Sequence, residues 1–257
     1  MHPFYFGRAD RPLFGAYHAA ANPHSTKGVV LVHPFGHEYF PAYPALQQLA
    51  VRLARADVHV LRFDLYGAGD SGGDFGEGGL EQWQDDLRLA VEELQAMAQV
   101  REVTLVGLRF GATLAWLACR EGRLAQRLAL WAPVLDGAGY LAEMRALEDN
   151  YTSHALPAPR EAVARGPRFE VLGYPISEAL EAELAAVDLR PGPALDLPTL
   201  VVARPGSEGE VHRYDLGFRV ELLPYEEACI WLKNESMNEA VVPSGALTAL
   251  TEWVVGS

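Results

Sequence analysis

Six short runs of this chain are dominated by apolar, often β-branched residues: Gly28–Val32 (GVVLV), Val58–Phe63 (VHVLRF), Glu102–Gly107 (EVTLVG), Arg127–Pro133 (RLALWAP), Leu197–Ala203 (LPTLVVA) and Phe218–Pro224 (FRVELLP). Runs of this kind fit strands buried on both faces of a parallel sheet, where neither face meets water and the in–out alternation disappears. Segments of helical spacing lie between them. Residues 44–56 place Leu46, Leu49 and Leu53 on one side, and Glu81–Gln99, Ala112–Glu121 and Leu247–Val255 follow. Ahead of the first run, Phe4–Phe6 and Leu13–Ala19 read as two short strands around a turn at Gly7–Pro12. Strands alternating with helices predict an α/β fold with a mostly parallel, doubly wound sheet.

The rhythm breaks between Pro133 and Leu197. That stretch is rich in proline and carries two helical segments and a short hairpin signal at Val171–Pro175. It reads as a small cap insertion, about residues 137–196, in a single domain spanning 1–257. Ligands of doubly wound sheets bind at the carboxyl ends of the strands, so such a cap would set specificity.

Composition excludes several function classes. With 257 residues, 49% hydrophobic and 21% charged, the chain has material for one sizeable core. Its net charge of -13 argues against nucleic acid or an anionic membrane as partner. Two cysteines, Cys119 and Cys229, make no disulfide framework, so a reducing cytoplasm is the expected location. No signal peptide is visible at MHPFYFGRADRP, and no apolar stretch reaches the ~20 residues of a membrane span. No cofactor or metal is expected: His212 with Glu208 and Glu210 lacks ligand spacing.

Three loops carry the chemistry. DLYGAGDSGG (Asp64–Gly73) is a glycine-rich turn after a strand, in which Asp70 and Ser71 read as structural. HPFGHEY (His33–Tyr39) follows the first apolar run and brings His37 and Glu38 to the same sheet edge. GLRFG (Gly107–Gly111) links a buried strand directly to a helix, with Arg109 at its centre. A guanidinium there stands at a helix N-terminus, where free N–H groups and the helix dipole already favour anions.

These segments, with the YFG…LFGAYH opening and the WAPVLDG strand end, resemble α/β-hydrolases of the serine aminopeptidase type. Within them the chain is similar to the "hydrolase 2" proteins of exosortase systems. The resemblance implies an α/β-hydrolase fold, with GLRFG as the nucleophile elbow and the His33–Tyr39 loop giving an oxyanion-hole N–H from Phe35 or Gly36. It also exposes what is missing. Arg109 occupies the nucleophile position and cannot accept an acyl group. No histidine follows Pro224, where the family places its base; the last one is His212. Glu208 or Glu210 can occupy the acid slot after Ala203, and Asp136 stands where some α/β-hydrolases place that acid.

Three readings follow. The first is a protein without serine hydrolysis that binds an acyl, carboxylate or thioester ligand, free or on a carrier protein, or acts as a partner subunit; a homodimer is compatible with it. Its pocket is lined by Phe35 and Phe110 and its anion site is Arg109, unless Arg109 is paired internally with Glu38 or Asp136. The second is an enzyme of non-standard chemistry with Arg109 as electrophile and His37 or Glu38 as base. The third is a serine hydrolase with a relocated triad.

Overall fold

A computed structural model of the chain describes residues 1–155, 169–189, 195–203, 219–224, 230 and 243–256. An antiparallel hairpin opens the fold, β1 (His2–Arg8) and β2 (Arg11–His18). Then strands and helices alternate: β3 (Lys27–Val32), α1 (Tyr39–Arg55), β4 (His59–Phe63), α2 (Leu80–Ala98), β5 (Glu102–Leu108), α3 (Phe110–Gly122) and β6 (Arg127–Trp131). Helix α4 (Gly137–Ala155), hairpin β7 (Phe169–Val171) and β8 (Tyr174–Ile176), and α5 (Glu178–Ala185) follow. The sheet then resumes with β9 (Pro198–Ala203) and β10 (Arg219–Pro224), and α6 (Ser244–Val255) is the last element.

The sheet order is β1-β2-β4-β3-β5-β6-β9-β10, antiparallel at β1, β2 and β4 and parallel thereafter. This is an α/β-hydrolase sheet. Its two faces divide the core. Val30, Val32, Leu105, Leu128 and Leu130 pack with α2 and α3 on one side. Val29, Leu31, Val106, Ala129 and Trp131 pack with α1 and α6 on the other. Neighbouring residues of one strand thus enter opposite cores, which is why the strands read as unbroken apolar runs.

Most element ends differ from the sequence reading by a few residues, and two of the differences have a clear physical reason. Helix α1 starts at Tyr39 rather than 44, continuing from a 3₁₀ turn at Gly36–Glu38. It carries Pro44 internally, because burial of Tyr39, Ala42, Leu46 and Leu49 outweighs the lost backbone bond. The hairpin spans Phe169–Ile176, turning at Leu172 and Gly173.

The segment between β6 and β9 leaves and re-enters the sheet through a short antiparallel stem. The Gly137 N–H donates to the Val187 carbonyl (2.8 Å) and the Leu189 N–H to that of Leu135 (3.1 Å), with Asp136 bridged to Asp188. Ser177 caps α5 by accepting the Leu180 N–H at 3.1 Å.

Candidate functional site

Strand β5 ends at Leu108 and α3 begins at Phe110, so one residue must turn the chain. Arg109 does so at φ 53° and ψ -123°, outside the regions favoured for L-residues. A residue held there costs about 1–3 kcal/mol and persists only where its surroundings fix it. Here the Arg109 N–H donates to the Trp131 carbonyl (2.9 Å), and its own carbonyl accepts from the Ala112 N–H (3.0 Å). The flanking glycines follow from close approach: a Cβ at Gly111 would run into the carbonyls of Val32 and His33, and one at Gly107 into the backbone of Gly111 and Ala112.

The guanidinium points into an acidic clasp. Arg109 Nε donates to Glu38 Oε1 at 2.8 Å and Nη2 to Glu143 Oε2 at 3.0 Å. Its side chain is 5% exposed, that of Glu38 1% and that of Glu143 44%. The second oxygen of Glu38 accepts from the Tyr140 hydroxyl at 2.7 Å. The Tyr140 ring also lies 5.3 Å from the guanidinium carbon. Burial alone would lower the arginine's pKa, but the carboxylates of Glu38 and Glu143 outweigh it, and the pKa is raised. The Tyr140 phenol is pushed well up, first by burial and then by Glu38, so it remains a donor.

Under the clasp lies an aromatic floor. Phe35 meets Phe110 edge-on with centroids 5.0 Å apart, and packs on Trp83 at 5.0 Å and Tyr140 at 6.1 Å. Phe110 stacks on Tyr140 at 5.9 Å. Gly36 and His37 form the 3₁₀ turn that delivers Glu38. The His37 pKa is lowered, mainly by burial; Arg109 adds to the fall and Glu38 opposes it. Its imidazole is therefore neutral at pH 7.

The sequence-derived residues divide accordingly. Arg109, Glu38, Phe35, Gly36, Phe110 and His37 converge at one place. Asp136 does not join them: Arg109's ion-pair partners among the described residues are Glu38 and Glu143. The Asp136 carboxylate instead accepts the Ala138 N–H (3.2 Å) at the start of α4, a local bond that holds it in the stem. Glu208, Glu210 and His212 lie outside the described residues. Tyr140 and Glu143 were not singled out from sequence. Their only signal is an i, i+3 spacing in the first turns after Asp136-Gly137, which puts both on one helix face.

The glycine-rich turn acts as a brace. Asp64 accepts from the Tyr39 hydroxyl (2.6 Å) and the Asp70 N–H (3.0 Å), while the Ser71 hydroxyl donates to the Asp64 carbonyl (2.6 Å) and accepts from the Phe14 N–H (2.8 Å). Asp86 is a further buried acid. It reads in the sequence as a charge near a helix start, yet it accepts from the Tyr66 N–H (2.8 Å) and the Gln82 amide (2.6 Å), and burial raises its pKa to about 6. Among the described residues, no group of three or more His, Cys, Asp or Glu could hold a metal ion.

The family model described as "Serine aminopeptidase, S33" matches residues 21–165, a span running from before β3 through the elbow and α4. The chain belongs to the serine aminopeptidase S33 family. As an S33-family protein it shares its fold with many solved structures. Est1E from Butyrivibrio proteoclasticus, bound to ferulic acid, superposes with a TM-score of 0.68 at 17% identity, covering 98% of this chain and 96% of that one. An α/β serine hydrolase homologue from Coxiella burnetii gives 0.60 at 15% identity, with 99% and 96% covered. Mouse α/β-hydrolase domain-containing protein 10 gives 0.62 at 14% identity, with 99% and 98% covered. At such identities the likeness is one of fold. No curated protein matches the sequence. Among the described residues of this S33-family chain, no helix is long and apolar enough to cross a membrane.

Proposed function

We propose that this S33-family protein binds an acyl-type ligand bearing a carboxylate or thioester at its elbow and does not perform serine hydrolysis. The observation that carries this reading is Arg109 itself. It keeps the strained elbow conformation and presents a guanidinium from it, buried among aromatic rings and engaged with carboxylates. A guanidinium whose pKa is raised stays protonated and cannot attack a carbonyl. It is suited to hold a carboxylate or a polarised thioester oxygen. The segment between β6 and β9 would act as the cap, with Tyr140 and Glu143 as its contribution. Gly36 and Phe35 would offer backbone N–H groups to the ligand's oxygen.

The test is thermal stabilisation by straight-chain carboxylates and by acyl-pantetheine thioesters, run beside turnover of the corresponding esters and thioesters. Stabilisation without turnover, lost in Arg109→Ala, is the expected result. Stabilisation unchanged by Arg109→Ala would overturn the reading.

A second reading rests on His37. Its neutral imidazole beside the clasp has the protonation state a general base needs. Glu38 is the poorer base, since both its oxygens are already engaged. Turnover in the same panel that disappears in His37→Asn would favour this enzymatic reading over simple binding.

A further inference from the structure

The charges in the clasp do not balance in favour of an incoming anion. One guanidinium faces two carboxylates, Glu38 and Glu143, at 2.8 and 3.0 Å. A carboxylate ligand entering this arrangement would meet a site already supplied with negative charge. Among the described residues these two acids are the ion-pair partners of Arg109, and a carboxylate that takes the place of one of them gains its bond without adding to the negative charge.

The two acids differ in what holds them. Glu38 sits in the turn before α1, is buried, and accepts from both Arg109 and Tyr140. Removing it would strand a buried charge. Glu143 is 44% exposed, and its contact with Arg109 is to the terminal Nη2. Water can solvate it as it leaves, so its departure is the cheaper of the two. It also comes from α4, in the segment between β6 and β9, not from the sheet that carries the elbow.

We infer that Glu143 is an internal stand-in for the ligand's carboxylate: it occupies the Nη2 side of Arg109 and is exchanged for the carboxylate of a monocarboxylate ligand. This rests on the ligand-binding reading above and adds the step by which the site is opened. While it is closed, Glu143 competes with the ligand, and the apparent affinity is reduced by the fraction of molecules in which the site is open. Tyr140, one turn earlier on α4, keeps its bond to Glu38 during the exchange, so the helix need not undock.

The experiment is isothermal titration of octanoate, with 1-octanol as the uncharged control, into wild type, Glu143→Gln and Glu143→Ala. Release of a half-exposed competitor predicts octanoate affinity about five- to tenfold higher in both variants, with 1-octanol unchanged. Octanoate binding equally well to all three proteins overturns the exchange and leaves the ligand-binding reading standing. An equal gain for octanol and octanoate also overturns it, because Glu143 would then be blocking space rather than standing in for a charge. Failure of octanoate to bind any of the three overturns both.

Discussion

Glu38 is the acid with the least freedom in the site, since each oxygen is committed and the side chain is sealed from water. Arg109→Met should therefore cost about 3–5 kcal/mol in urea unfolding, because it leaves a buried carboxylate with only a tyrosine to answer it. Arg109→Met combined with Glu38→Leu should recover much of that loss, since no stranded charge remains. Equal losses in the single and double variants would refute this account. Asp86 gives a pH dependence of definite sign. Folded, it keeps its proton up to about pH 6; unfolded, it releases it near 3.8. Its stabilising effect is thus complete below about pH 4 and lost as pH rises through 6. Wild type should lose about 2–3 kcal/mol relative to Asp86→Asn between pH 4 and 7.5, read from paired denaturation curves. At this scale the sequence was partly legible. Arg109 and Glu38 were readable because strand-to-helix loops fix where they must lie. Asp86 was not, because an acid in the second turn of a helix gives no sign of whether it faces a loop or water.

Among the elements, the elbow has the tightest tolerances. Gly111 packs against the carbonyls at the end of β3, and these are backbone atoms that cannot rotate aside. Gly111→Ala should cost about 3 kcal/mol or more, seen as a lower thermal midpoint. A variant as stable as wild type would mean that α3 can shift away from the sheet. Helix α1 shows where periodicity falls short. The apolar spacing of Leu46, Leu49 and Leu53 marks residues 44–56, whereas packing of Tyr39 and Ala42 starts the helix at Tyr39. Tyr140 and Glu143 are not legible in the sequence for a related reason. Spacing places them together on α4, but only the docking of α4 against the elbow places them on Glu38 and Arg109.

Over the whole molecule, the alternation of strands and helices is enough to indicate the sheet, because β3, β4, β5, β6 and β9 each enter two cores and carry the pattern of both. A catalytic triad is a property of this scale too, since its members come from distant loops along one sheet edge. Restoring a hydroxyl at the elbow should therefore not restore hydrolysis: no histidine follows Pro224 to activate it. Arg109→Ser should remain unlabelled by a fluorophosphonate probe, and labelling would reveal a base at an unexpected position. The stem at Leu135–Gly137 and Val187–Leu189 bears on how such a site can change. Its two strands are hydrogen-bonded to each other, so the points where the chain departs from the sheet and returns to it are neighbours. Helix α4, with Tyr140 and Glu143 in its first two turns, starts directly from that paired root. A change at that root would therefore reach Arg109 through the one helix that carries both its tyrosine and its exposed carboxylate.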